Sequence, residues 1–237
     1  MGCDIHLYVE KKVDGDWVTA DKWTPDKCAE SLDALSVDYD DSFYHGRNYQ
    51  LFSILADVRN GSGFAGCDTG DCFTPIAAPK GLPDNASAEV KREADSWDSD
   101  GHSHSYLTVQ ELLNYDWTQV TKRRGWVDAF NYAYWVDFRK KRGELPEEFC
   151  GGVSGGDIQH VTEEEMQRKL AAIKDRFSQC GHGWRKAVKT ELVSVYCPFE
   201  MPQYYYQSAK DFLGETLPRL LALGRPDDVR IVFWFDN

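Results

Sequence analysis

The chain has 237 residues, of which 42% are hydrophobic and 28% are charged, and its formal net charge is −12. This length and apolar content predict a globular protein that buries a full core as a single domain over residues 1–237. No apolar run is long enough to span a membrane, and the acidic balance disfavours extended binding to a nucleic-acid backbone. We therefore expect a soluble, intracellular protein, and the odd, scattered set of seven cysteines predicts reduced thiols.

The first residues predict a β-hairpin. Residues 3–12 and 17–23 both alternate apolar and polar side chains, and Asp14-Gly15 between them is typical of a two-residue turn. In the first strand, Asp4 and His6 are two positions apart and project from the same face. That spacing suits metal ligation or an oriented acid/base pair. An edge hairpin with one solvated face shows the same alternation, so this structural alternative stays open.

An irregular excursion or short helix over residues 24–46 precedes an amphipathic helix over 48–59. Arg47, Asn48 and Tyr49 open that helix, where free backbone N–H groups and a guanidinium can meet a phosphate or carboxylate. Arg59 closes it, either as a second cation for the site or as a partner of the helix dipole. A proline-rich loop follows over 60–83.

Helices dominate the middle of the chain. The pattern predicts one from residue 84 or 87 to about 97, one opened by the capping box Thr108–Glu111, one over 126–142, and one opened by Thr162–Glu165. The segment containing His102, Ser103 and Ser105 is expected as a polar loop before a capped helix, and it supplies imidazole and hydroxyl groups.

Further strands are predicted at the end of the chain, over residues 187–197 and 229–236, with a helix over 207–223 kinked near Pro218 between them. The fold class is therefore α+β, with an antiparallel sheet formed by the N-terminal hairpin and the C-terminal strands and a helical middle section, an insertion over roughly 84–180. This sheet would place Asp4 and His6 near Arg230, Trp234 or Asp236.

The candidate site residues predict a hydrolytic chemistry if the fold brings them together. Asp4, His6 and His102 are candidate catalytic residues and form a mixed carboxylate and imidazole set that could hold a divalent metal ion with an open position for water. Metal-assisted hydrolysis of a phosphoester would follow, with Arg47 or Arg59 neutralising developing charge. The remaining candidate ligand-binding residues are Asn48, Tyr49, Ser103 and Ser105.

Several short motifs carry a resemblance that runs across most of the chain. They are Gly2-Cys-Asp-Ile-His6, Arg47-Asn-Tyr-x-Leu-Phe, Leu55-Ala-x-Val-Arg59, Pro79-Lys-Gly-Leu-Pro-Asp84, Trp97 to Asp100-Gly-His-Ser, Ser105-Tyr-Leu-Thr and Val232-Phe-Trp-Phe-Asp236. Together they resemble a family of uncharacterised bacteriophage-encoded proteins. The resemblance implies expression in the cytoplasm of an infected bacterium and favours Asp4, His6, Arg47, Arg59 and His102 as site residues. His104 departs from the small residue associated with its position.

Two functional hypotheses of different class follow from this context, in which we expect a counter-defence role. In the first, the protein is an enzyme that hydrolyses a nucleotide-like phosphoester. In the second, it is a non-catalytic binder, either a sponge for a nucleotide immune signal or an acidic inhibitor of a host defence protein. A membrane is not an expected partner, and the oligomeric state is open, a homo-oligomer included.

Overall fold

A computed structural model describes residues 2–26, 34–178 and 183–236. The chain folds as two compact units. Unit 1 comprises Met1–Asn60, Cys72–Gln119 and Tyr204–Asn237, and unit 2 comprises Gly61–Asp71 and Val120–Gln203. The predicted single domain over 1–237, with a helical insertion at about 84–180, stays a prediction.

The described residues form both strands and helices. The strands are β1 (Ile5–Val13), β2 (Asp16–Thr19), β3 (Trp23–Pro25), β4 (Leu35–Val37), β5 (His102–Thr108), β6 (Val120–Asp128), β7 (Gln159–His160), β8 (Val195–Tyr204) and β9 (Val229–Phe235). The helices are α1 (Tyr49–Ala56), α2 (Ala88–Ser96), α3 (Val109–Asn114), α4 (Ala129–Phe138), α5 (Glu163–Arg176), α6 (Trp184–Glu191), α7 (Tyr205–Ser208) and α8 (Leu217–Leu221). This mixture confirms the α+β class.

The main sheet of unit 1 has the strand order β2-β1-β9-β5, and every neighbouring pair is antiparallel. The hairpin of β1 and β2 is confirmed: Asp14 and Gly15 at its turn have φ of 53° and 98°, as a tight primed turn requires. The predicted pairing of the N-terminal and C-terminal strands is also confirmed, since β1 lies directly beside β9. Residues 27–33 of the predicted excursion lie outside the described residues.

Strand β9 is buried on both faces. Its alternate side chains pack against helix α1 on one side and against helix α2 on the other. The first core includes Leu51, Leu55, Ile231, Phe233 and Phe235. The second includes Val90, Ala94, Val232 and Trp234. This two-sided burial explains the nearly continuous apolar run at the end of the chain.

Unit 2 packs three helices beside a three-stranded sheet, whose strand order is β6-β8-β7. The short β7 pairs with β8 in parallel. Helices α4, α5 and α6 contact one another, and their apolar residues join those of β8 in one core. The buried residues of this core include Tyr132, Trp135, Met166, Val188 and Phe199.

In unit 2, one predicted helix is present with a later start, and one predicted strand is wrong over its first half. The helix expected over 126–142 begins only at Ala129, because Trp126 and its neighbours belong to β6 and the Asp128 side chain caps α4 by accepting from two backbone N–H groups. The strand expected over 187–197 is helix α6 as far as Glu191, and the strand begins at Val195. In both cases, a short apolar run was compatible with the two-residue period of a strand and with the 3.6-residue period of a helix.

Other predicted elements are confirmed in part. Capping boxes at Thr108 and Thr162 are present, with both reciprocal hydrogen bonds in each. The helix predicted over 207–223 is divided into α7, a π-helical turn Phe212–Thr216, and α8. The loop predicted around His102 is wrong, because these residues form β5.

None of the helices within the described ranges has the length and apolar content that crossing a membrane demands.

Candidate functional site

The sheet of unit 1 brings three chain segments to one end. Because its strands are antiparallel, the start of β1 lies beside the end of β9, and the start of β5 lies on the other side of β9. Ile5 and His102 accordingly face Phe235 from its two sides. The expected proximity of His6 to Trp234 and Asp236 is confirmed, whereas Arg230 lies near the other end of β9, opposite Glu10.

Asp4 and Arg47 form a bidentate ion pair. The Nε atom of Arg47 donates to Oδ1 of Asp4 at 2.6 Å, and Nη2 donates to Oδ2. The hydrogen bonds from Arg47 lower the pKa of the Asp4 carboxyl, so it is ionised at neutral pH. About half of each side chain is exposed, which leaves the pair accessible to a ligand.

His6 pairs with Asp236 instead of with Asp4. The His6 Nε2 atom lies 3.3 Å from Asp236 Oδ2, and the two side chains are only 18% and 22% exposed. The other oxygen of Asp236, Oδ1, accepts from the backbone N–H of Asp4 at 2.9 Å. Asp236 therefore connects the two residues that the sequence placed side by side.

Two guanidinium groups approach the N-terminal segment from opposite ends of α1. Arg59 has φ of 57°, and its Nη2 donates to the Gly2 carbonyl oxygen at 3.4 Å. A Cβ atom on Gly2 would lie 3.1 Å from Nη1 of Arg47, so the absence of a side chain lets this guanidinium approach. We call Asp4, His6, Arg47, Arg59 and Asp236 the polar cluster.

Aromatic rings surround His6. Its ring centroid is 3.9 Å from that of Trp97 and 5.9 Å from that of Trp234, with the second pair nearly parallel. On the far side of Trp234, His104 stacks at 5.4 Å. Burial and the nearby His102 lower the pKa of His104, which keeps this imidazole neutral at pH 7. We call His6, Trp97, His104 and Trp234 the ring cluster.

A β-bulge separates the two imidazoles of β5. Ser103 has φ of 54°, and the pairing with β9 shifts between His102, opposite Phe235, and Ser105, opposite Phe233. His102 therefore lies on the side of Phe235, at 6.1 Å between ring centroids, while His104 stacks on Trp234. The imidazole that shares the face of His6 is His104.

The remaining predicted residues have local partners. His102 Nδ1 lies 3.0 Å from the Ser103 hydroxyl, and its buried Nε2 atom lacks a hydrogen-bond partner among the described residues. Ser105 is buried and its hydroxyl accepts from the Lys80 backbone N–H. Neither serine is therefore a direct member of the polar cluster.

At the start of α1, the predicted ligand-binding residues Asn48 and Tyr49 make contacts that stabilise the helix and its neighbouring segment. The Asn48 side chain accepts from the backbone N–H groups of Gln50 and Leu51, so it caps two of the donors that an anion would otherwise meet. The Tyr49 hydroxyl accepts from the Cys3 backbone N–H at 3.2 Å, and Arg59 lies over the Tyr49 ring at 5.7 Å. Tyr49 thus ties the N-terminal segment to the helix.

The predicted metal ligands are not gathered into one group. Across residues 2–26, 34–178 and 183–236, the structure has no set of three His, Cys, Asp or Glu side chains arranged to hold a metal ion. Asp4 bonds to Arg47, His6 to Asp236, and His102 to Ser103. A divalent metal at Asp4, His6 and His102 stays a prediction.

Sequence reasoning did not foresee the ring cluster or the direct bond between His6 and Asp236. The alternating faces of β9 could have predicted the contact with Trp234, because Trp234 pairs with His6 in the antiparallel register. The contact between His6 and Trp97 depends on where α2 ends, and the bulge at Ser103 decides on which face of the sheet His104 lies.

Comparison with protein-family models, curated proteins and solved structures found no match to this chain.

Proposed function

We propose that the polar cluster recognises the phosphate of a small nucleotide-like ligand and hydrolyses a phosphoester bond in it. One observation carries this proposal: Asp236 connects the partly buried, ring-flanked His6 to Asp4, and Asp4 bonds to the Arg47 guanidinium. The Arg59 guanidinium bonds to Gly2 in the same N-terminal segment. Arginine binds phosphate with parallel hydrogen bonds, and aromatic rings stack on nucleobases without requiring one base. In the ring cluster, Trp234 is buried, so the partly exposed rings of Trp97 and His104 are the ones that a base could contact.

The same residues supply the parts of a hydrolytic site. Arg47 and Arg59 can neutralise charge that develops on the phosphoryl oxygens, and His6 can transfer a proton within hydrogen-bond reach of a bound ligand. Asp4 holds Arg47 in its bidentate geometry. If a divalent metal ion bound with Asp4, His6 and His102, as the sequence predicts, it would supply Lewis-acid activation of water, although the three side chains lie apart in the structure.

The biological setting of the proposal comes from the motif resemblance. It suggests a phage protein that acts against host defence in the cytoplasm of an infected bacterium, where nucleotide signals would be its substrates. The second candidate is a sponge that holds such a signal without cleaving it, because guanidinium and ring contacts suffice for binding alone. The formal charge of −12 also suits an acidic inhibitor of a basic host protein.

The test is a panel of linear and cyclic nucleotides incubated with the purified protein, with and without Mg²⁺, Mn²⁺ or Zn²⁺. Mass spectrometry of the free and heat-released fractions separates the hypotheses. New products support hydrolysis, and a dependence on added metal supports the metal set. An intact nucleotide recovered only after denaturation supports the sponge, and the absence of both products and bound nucleotide contradicts the proposed ligand class.

A matched pair of variants assigns the result to this site. Arg47→Ala removes a guanidinium from the polar cluster. Arg142→Ala removes one from an exposed ion pair with Glu144 in unit 2. We expect binding or turnover to fall at least about tenfold in Arg47→Ala, as for loss of a charge-assisted hydrogen bond, and to stay unchanged in Arg142→Ala.

A further inference from the structure

The bond between His6 and Asp236 determines which nitrogen of the imidazole carries the proton. We infer that Asp236 is a positioning residue that holds neutral His6 as the Nε2–H tautomer, so that Nδ1 is the basic nitrogen offered to a ligand. The tautomer is a property of the free protein. Only the role of Nδ1 as acid or base rests on the proposed function.

Both oxygens of Asp236 have defined partners. Oδ2 lies 3.3 Å from His6 Nε2, and Oδ1 accepts from the Asp4 backbone N–H at 2.9 Å. The Asp236 backbone N–H in turn donates to the Asp4 carbonyl oxygen at 3.2 Å. An ionised carboxylate can only accept, so the proton between Asp236 and His6 must belong to Nε2.

The ring of His6 is also held in place by its neighbours. Trp97 lies against it at 3.9 Å between centroids, and Trp234 stacks nearly parallel to it at 5.9 Å. Such packing restricts rotation of the ring away from the carboxylate. Asp4 is the second carboxylate that interacts electrostatically with His6, but its oxygens bond to Arg47.

This arrangement makes a specific variant informative. In Asp236→Asn, the amide oxygen should stay on the Asp4 N–H, because an NH₂ group there would face another donor. The NH₂ group then faces His6 Nε2, which must become an acceptor. The substitution is therefore expected to move the ring proton from Nε2 to Nδ1, whereas a purely structural role for Asp236 predicts no such exchange.

The measurement is a long-range ¹H–¹⁵N correlation spectrum of the full chain labelled with ¹⁵N-histidine, at a pH where the imidazoles are neutral. The signal of His6 is identified by its loss in His6→Gln. We expect Nε2–H in the wild type, Nδ1–H in Asp236→Asn, and Nε2–H in Asp4→Asn, a control that removes the other carboxylate charge.

Two results would overturn the inference. The first is a wild-type spectrum in which the Nδ1–H form of His6 predominates, a result that does not depend on the folding of Asp236→Asn. The second is an Asp236→Asn spectrum with the wild-type tautomer. If the nucleotide panel gives neither products nor bound nucleotide while the spectra are as expected, the proposed function fails and the tautomer assignment stands.

Discussion

Glu10 and Arg230 form a salt bridge sealed inside unit 1. Nε and Nη2 of Arg230 each lie 2.7 Å from Oε2 of Glu10, and the Arg230 and Glu10 side chains are 3% and 0% exposed. Neighbouring groups satisfy the remaining polar atoms: Ser87 N donates to Glu10 Oε1, and Arg230 donates to the side chain and backbone of Asn85. The pair thus links β1, β9 and the segment that opens α2.

Removing one member of this pair should destabilise unit 1 strongly. Arg230→Met leaves the Glu10 carboxylate buried without its counter-charge, and breaking a buried ion pair in this way costs about 3–5 kcal/mol. Denaturant unfolding followed by tryptophan fluorescence measures the loss. Lys12→Met is the matched control, because Lys12 lies 3.7 Å from Asp228 in a partly exposed pair. Equal stability of the two variants would contradict the expectation.

The topology was predictable from the sequence because it rests on patterns along single segments. The turn at Asp14-Gly15 predicts the hairpin of β1 and β2, and the apolar run near the end of the chain predicts β9. Antiparallel pairing of β1 with β9 then brings His6 to Asp236. The bulge at Ser103 was not predictable, because it depends on how β5 fits against β9. The pairing of Glu10 with Arg230 likewise needs the exact register of two strands 220 positions apart.

A buried carboxyl in unit 1 predicts a stability that depends on pH. Asp21 Oδ2 accepts from the Val9 backbone N–H at 2.6 Å, while Oδ1 is buried without a hydrogen-bond partner among the described residues. Burial raises the pKa of Asp21 from 3.8 to about 7. The folded state therefore retains a proton that the unfolded chain releases.

The sign of the effect follows from that raised pKa. Below about pH 4, both states are protonated, and between about pH 4 and pH 7 the unfolded state alone loses its proton, so Asp21 progressively destabilises the fold. Because one unit of pKa equals 1.36 kcal/mol, the total cost to the free energy of folding is at most roughly 4 kcal/mol.

The Asp21→Asn variant keeps a side-chain oxygen that accepts from the Val9 N–H, and it removes the titrating carboxyl. We expect the variant to gain stability over the wild type as pH rises from 4 to 8, measured by urea unfolding, and a pH-independent difference would refute the assignment.

Gly70 in unit 2 should not tolerate a side chain. Its φ is 138°, and a Cβ atom there would overlap the carbonyl oxygen of Lys122, beside the bridge that Gly70 forms to β6. Gly70→Ala should therefore cost about 1–3 kcal/mol of stability through backbone strain and lost pairing. Gly156→Ala is the control, since a Cβ atom at Gly156 meets nothing within 4 Å. Thermal unfolding of both variants measures the difference. A Gly70→Ala variant that is no less stable than Gly156→Ala would contradict this explanation.

Asp4→Ala separates binding from turnover at the polar cluster. If hydrolysis uses Asp4, either to hold Arg47 in bidentate geometry or to ligate a metal, the variant should lose turnover by about 100-fold or more, as is typical when one catalytic group is removed. Stability should change little, because the pair of Asp4 with Arg47 is about half exposed. Asp41→Ala, which removes the partner of Lys22 from another exposed pair, is the control.

Two measurements distinguish the possible roles of Asp4. Product formation by mass spectrometry reports turnover, and equilibrium dialysis of the intact nucleotide reports binding. Retained binding with lost turnover assigns Asp4 to the chemical step, whereas equal loss of both assigns it to holding Arg47 against the phosphate. Full turnover in Asp4→Ala would remove Asp4 from the proposed mechanism and leave His6, positioned by Asp236, as the acid or base.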